Sequence, residues 1–302
     1  MLRGIADFAV QGRWQAAIAA ALLSIAALML PPLTYLASGV IALTTLRMGP
    51  KEGINVVAAI TILFTLVAGL LLGQYLISGL FLLLSWLPVL GAALILGYTR
   101  SLAASLLAVG GLGILLVLGT HLVLADPVAW WQQILAPFME RLVQQQNWEL
   151  DQTQMQTLIS GLSGMMTGLF AASLSINVLL GLLIGRAWQA KLFNPGGFAD
   201  EFCQLRLGKA AALLAIVLMM IEISPLKAGL TVLVDCLPVV LVIFALQGLS
   251  VIHAIVKQQQ KHKFWLVAVY VLLVVVMPQM VVLLAMIGVL EQWFNFRRHS
   301  VK

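Results

Sequence analysis

Residues 54–98 carry no charged side chain, and that run limits what the chain can fold into more than any other feature. A helix rises about 1.5 Å per residue and a bilayer core is about 30 Å thick. The run therefore holds two helical crossings, turning near Gly73-Gln74-Tyr75. Composition agrees: 62% of the 302 residues are hydrophobic and 9% are charged, with mean hydropathy +1.06. A soluble domain carries roughly 25% charged residues. The expected fold is all-α, a polytopic transmembrane helical bundle of about eight to ten spans or half-spans with an interfacial amphipathic helix. It forms a single transmembrane domain over residues 1–302.

Local signals divide the rest of the chain. Arg3 and Arg13 precede an apolar run that continues far beyond signal-peptide length, so it reads as an uncleaved first span. Pro31-Pro32 splits residues 15–46 into segments 15–30 and 32–46, because proline removes a helical donor and clashes with the preceding turn. Residues 101–124 make a further span. Asp126-Pro127 then gives an N-cap followed by proline at the first helical position. Val128, Trp131, Leu135, Phe138 and Leu142 fall on one face beyond it, predicting an amphipathic helix bent at Pro137 within an extramembrane connection at 125–157. Asp151 and Gln154 form a capping box opening a helix that enters the membrane near Leu158 and leaves at Arg186. A cytoplasmic loop at 186–209 follows, then a paired hairpin at 210–224 and 229–252. The last block, 264–290, is interrupted at Met277-Pro278-Gln279.

Within that loop, residues 193–209 read FNPGGFADEFCQLRLGK. Asn194-Pro195-Gly196-Gly197 is a turn signal, since proline fixes one dihedral and the glycines allow positive φ. Phe198, Phe202 and Leu205 then recur at helical spacing, with Asp200, Glu201 and Arg206 between them. The pattern predicts a short surface helix with its aromatic side toward lipid. A sharper reading is a docking or gating loop that presents Asn194, Pro195, Gly196, Gly197, Phe198, Phe202 and Arg206 to a partner.

The net charge of +6 belongs to topology and to anionic lipid head groups, not to nucleic acid. With the N-terminus inside, the inner loops hold Arg3, Arg13, Arg47, Lys51, Arg100, Arg186, Lys191, Arg206, Lys209, Lys257, Lys261 and Lys263. The outer side holds Arg141 and Lys227. The tail, Arg297, Arg298 and Lys302, belongs inside if the last block turns back at Pro278, and outside if that block is one tilted span. Both arrangements stay open. Cys203 and Cys236 lie in different settings, so no disulfide framework is expected.

Ionisable groups at bilayer depth are expensive and point to function. Glu222 and Asp235 sit on the two arms of the hairpin centred near residue 228, at similar depth, which suggests a water-filled cavity, a cation or proton site, or partners such as Lys227. Asp235 is the stronger candidate, because Pro238 follows and frees a backbone carbonyl for a ligand. Asn177, Gln74, Gln247 and Gln279 are buried-polar candidates. Asp235, Glu222, Asn177 and Gln247 together make the candidate substrate-binding set. Small residues recur at spacing four at Gly69 and Gly73, at Ser160, Gly164, Gly168 and Ala172, and at Ser173, Asn177, Gly181 and Gly185, a pattern that packs helices closely in lipid. His121 and His253 stand near opposite span ends, so no shared metal site is expected, and neither catalytic residues nor a cofactor are assigned. No HExxH, CxxC or GxSxG occurs, and Gly208-Lys209 lacks the context of a phosphate-binding loop.

The central loop, the paired hairpin, the segment GLSVIHAIVKQQQK and a last block broken at Pro278 together resemble the YybS-like family of bacterial membrane proteins. That organisation is similar to the substrate-binding subunits of energy-coupling-factor vitamin transporters, which borrow a separate ATPase. The resemblance implies a bacterial inner (cytoplasmic) membrane protein that is not an enzyme. It also implies a small-molecule substrate, and a docking stripe at Ala16, Ala17, Ala20 and Ala21 for a membrane-protein or ATPase partner. The other reading is a scaffold or assembly protein acting through helix and loop contacts. Lipid turnover is the weakest reading, since no nucleophile, base and metal ligands converge.

Overall fold

The computed structural model describes residues 2–73, 75–146, 151–262 and 264–299, and Gln74, Lys263 and Lys302 lie outside these. It is 88% helix, with no strand among the described residues. The first half comprises α1 (Leu2–Ala9), α2 (Arg13–Ala27), α3 (Leu33–Met48), α4 (Pro50–Leu72), α5 (Leu76–Phe81), α6 (Leu87–Thr99) and α7 (Leu102–Val123). A π-helical turn, Leu82–Trp86, joins α5 to α6. The second half comprises α8 (Pro127–Gln146), α9 (Gln152–Phe193), α10 (Gly197–Cys203), α11 (Lys209–Ile223), α12 (Thr231–Gln258), α13 (Phe264–Val275), α14 (Met277–Phe294) and α15 (Phe296–His299). Among the described residues, six stretches are long and apolar enough to cross a membrane: Pro50–Leu70, Leu76–Thr99, Leu102–Val123, Gln152–Phe193, Thr231–Gln258 and Met277–Phe294.

The breaks fall where proline, glycine and charge place them. Pro32 stands at the N-cap of α3, so α2 and α3 form a hairpin. Asp151 accepts from the Gln154 backbone N–H while the Gln154 side chain accepts from the Asp151 N–H, completing the capping box of α9. Gly196 takes φ 91° at the turn before α10, a region that disfavours any side chain.

Lipid supplies no hydrophobic force between spans, so close backbone contact holds the bundle together. The central contact is α3 on α9. A Cβ on Gly185 would lie 2.6 Å from the Ala42 Cβ and 2.7 Å from the Gly39 carbonyl oxygen, so the two backbones touch there. Gly181 rests on Ser38 in the same way. The contacts advance together along both chains, which makes the two helices parallel. Toward the start of α9 the other spacing-four stripe packs only in part: Ser160 and Gly164 are exposed, whereas Gly168 and Ala172 are buried.

Two expectations are corrected. Ala16, Ala17, Ala20 and Ala21 form no external stripe: all four are buried, with α2 packed on α3 and α4. On α8, the face that carries Trp131 and Leu135 packs against α9 and includes Met139, whereas Phe138 is 58% exposed. Phe138 and Met139 lie on opposite sides of the Trp131–Leu135 midline, about 40° and about 60° from it, and α9 covers the Met139 side. Helix α8 therefore stands beside the first half of α9 as an antiparallel hairpin, with Trp131 Nε1 donating to Thr167 Oγ1 at 3.0 Å.

Most of the basic residues gather at one end of the bundle. Arg186 pairs with Glu201 at 2.8 Å, Lys257 with Asp200, and Arg47 stacks 4.0 Å over the Phe193 ring. The tail returns to this end, where Arg297 donates to the carbonyls of Cys203 and Leu205. Since α13 begins just after α12 ends there, the last block turns back at its break. Helix α13 has 12 residues, about 18 Å, too short for a bilayer core.

Candidate functional site

His121 and Asp235 meet at the end of the bundle opposite the basic one. Helix α7 places His121 in its last turn, and α12 places Asp235 in its second. His121 Nε2 lies 2.7 Å from Asp235 Oδ2, with 15% and 10% of the two side chains exposed. Helix α9 closes the third side. A Cβ on Gly168 would lie 2.6 Å from the Asp235 carbonyl oxygen and 3.1 Å from the Pro238 ring, so glycine lets α9 reach the α12 backbone. Helix α12 continues through Pro238, which has no N–H to offer the Val234 carbonyl. A carboxyl–imidazole hydrogen bond, a weakened helix turn and a close backbone thus share one small volume.

One to two turns along α7 and α9 from this pair, an apolar groove of about 290 Å³ opens between the π-helical turn, α7 and α9. Gly113, Leu116, Ala171 and Ser175 line it, together with Leu83 and Pro88. Removal of Cβ at Gly113 makes room for Ser175 and Val239 beside it. The groove admits an apolar group, and the pair offers one polar, hydrogen-bonding anchor.

The four residues of the candidate substrate set lie in separate surroundings. Asp235 pairs with His121, while Glu222 lies 4.0 Å from Lys227, both partly exposed near the α11–α12 turn. The expected partnership of Lys227 thus falls on Glu222 alone. Asn177 Oδ1 accepts from Ser85 Oγ at 2.9 Å, with Ser38 Oγ at 3.5 Å, in a polar cluster where α3, α9 and the π-helical turn meet. Gln247 is fully buried and joins three segments: its Oε1 accepts from the Leu207 N–H at 2.8 Å and its Nε2 donates to the Gly288 carbonyl at 2.6 Å. Twelve residues of helix, about 18 Å, separate it from Asp235. Gln279 is exposed.

The loop at 193–209 adopts the predicted turn and short helix, but its aromatic side faces protein. Phe202 is 8% exposed and packs edge-on to His253 at 5.5 Å, and Ser250 Oγ donates to its carbonyl at 2.6 Å. Leu205 and Leu207 are also buried. An amphipathic pattern reports an apolar face without saying whether lipid or α12 will cover it. Asn194, Pro195, Gly196 and Arg206 stay exposed, while Gly197 and Phe198 are half-buried. Cys203 lies beneath, where burial pushes its thiol up against the opposing pull of Lys257 and Arg297.

Sequence reasoning missed two groups. His121 was weighed only for a metal site shared with His253, which was not expected, and it lies 114 residues from Asp235. Glu291, fully buried, takes Arg297 Nε at 3.2 Å and Arg206 Nη2 at 3.5 Å on one oxygen and the Phe296 N–H on the other. The one available signal for both was an ionisable residue inside an apolar run.

These six apolar stretches and the carboxylate sealed among them define an all-helical, multi-pass membrane protein. No family model, no curated protein and no solved structure matches the chain.

Proposed function

We propose that the chain is a small-molecule transport protein of the bacterial cytoplasmic membrane, a substrate-binding membrane subunit without an ATPase of its own. The observation that carries this reading is the His121–Asp235 pair, sealed between α7, α9 and α12. An intramembrane carboxylate costs roughly 2.5–3.5 kcal/mol on insertion scales, and a chain that needed only packing would use a leucine there. Asp235 and His121 recognise the polar part of the substrate, and the adjoining groove takes its apolar part. The YybS-like resemblance and the basic end, placed in the cytoplasm by the positive-inside rule, belong to the same reading.

Native mass spectrometry of the protein extracted in mild detergent tests it. The wild type is expected to retain a small molecule, and Asp235→Asn to lose it at unchanged thermal stability, since the amide keeps the hydrogen bond to His121 and removes only the charge. Retention by both proteins would sink the assignment.

A scaffold role draws support from the α8–α9 hairpin, which exposes Trp130, Ile134 and Phe138 along one stripe of α8. A stoichiometric protein partner with no bound solute would favour it.

A further inference from the structure

We infer a binding site for one anionic phospholipid in the groove between α2 and α4, independent of the transport reading. Both helices start at the basic end and run side by side. The groove encloses about 470 Å³. Its mouth is polar, formed by Arg13 at the first position of α2, Trp14 and Asn55. Its floor is Ala58, Ala59, Ile62 and Leu63. These follow Asn55 at helical spacing, so the floor descends about 12 Å along α4 from the mouth. The two alanines form the trough, and Ile62, 62% exposed, opens it sideways to the bilayer.

The chemistry of the mouth selects the head group. Arg13 forms no ion pair among the described residues, and its guanidinium stands 5.9 Å from the Trp14 ring centre. The nearest acid in sequence, Asp7, is engaged by Arg3 at 3.6 Å. A guanidinium offers a planar fork that fits phosphate oxygens, and the Asn55 amide adds a further donor. Trp14, 62% exposed, carries an indole of the kind that settles at head-group level. The occupant is a lipid, not free phosphate, because a soluble anion would use the mouth and leave the apolar floor empty.

The full-length protein, delipidated in dodecyl maltoside, is titrated with dioleoyl phosphatidylglycerol or dioleoyl phosphatidylcholine, and bound lipids are counted by native mass spectrometry. One phosphatidylglycerol is expected to bind ahead of phosphatidylcholine. Arg13→Ala weakens it about fivefold, the effect of one basic residue at a membrane surface. Ala58→Trp, which fills the trough and leaves Arg13 in place, weakens it to a similar degree. Lys51→Ala, at the same end but outside the groove, leaves it unchanged. Equal binding of the two lipids, or full binding to Ala58→Trp, would overturn the site. Displacement by millimolar inorganic phosphate would show that the ligand is a soluble anion and overturn the lipid assignment.

Discussion

Glu291 shows how a single side chain fixes a segment at the basic end. Its carboxylate is fully buried, and Arg297, 7% exposed, depends on it for charge balance. Removing one partner of such a pair leaves the other uncompensated, which is strongly destabilising. Glu291→Ala is expected to cost about 3 kcal/mol and to lower the midpoint of thermal unfolding in detergent, together with release of the tail to protease. An unchanged midpoint would mean that Arg297 finds another acceptor. Gln247 plays a comparable neutral role, since both its oxygen and its nitrogen are spent on backbone groups of other segments. Neither role can be read from residue type alone. A glutamine in an apolar helix looks the same from the sequence whether it waits for a substrate or clamps Leu207 to Gly288.

At the scale of elements, glycine decides which helices touch. A Cβ on Gly248 would overlap the Leu284 carbonyl oxygen, and one on Gly288 the Phe244 carbonyl oxygen, so α12 and α14 meet backbone to backbone. Gly248→Ala should force them apart and destabilise the fold by about 1–3 kcal/mol. Gly164→Ala has nothing within 4 Å to meet and should be neutral or stabilising by up to about 1 kcal/mol, as alanine is the better helix former. Melting curves of the two variants side by side check this, and equal effects would contradict the packing described. Several helix starts were legible in the sequence because their causes are local: Pro32 before α3, Asp151 before α9, Pro278 in the last break. The end of α9 was not, since the helix runs past Arg186, where the loop was expected to begin, to Phe193. The face each helix buries was less legible. Trp131 and Phe202 were recognised as apolar-face residues, but the elements that cover them come from distant parts of the chain. The π-helical turn at Leu82–Trp86 left no mark in the sequence pattern, because its extra residue shifts the register within an unbroken apolar run.

For the whole molecule, the sorting of charge is the main result. The sequence left the side of the tail open between two arrangements. The bonds from Arg297 to Cys203 and Leu205 bring it to the end that holds the 193–209 loop. Single cysteines at Asn194 and at Lys302, in a chain otherwise free of cysteine, should react with an impermeant maleimide from the same side of sealed vesicles. Labelling from opposite sides would mean that the last block crosses once. The pairing of His121 with Asp235 was beyond the reach of sequence for a related reason. It depends on how α7, α9 and α12 assemble, and Gly168 matters there only because the α12 backbone comes to rest on it.

Helix α9 runs for 42 residues without a proline, about 63 Å, roughly twice the thickness of a bilayer core. It touches α3 backbone to backbone at Gly181 and Gly185, about three quarters of the way along its length. It also meets the α12 backbone at Gly168, about two fifths of the way along. A stiff rod pinned at two separated points cannot swing, so the glycines that let α9 pack so closely act as bolts and hold the α8–α9 hairpin at a fixed angle to the Arg186–Glu201 end.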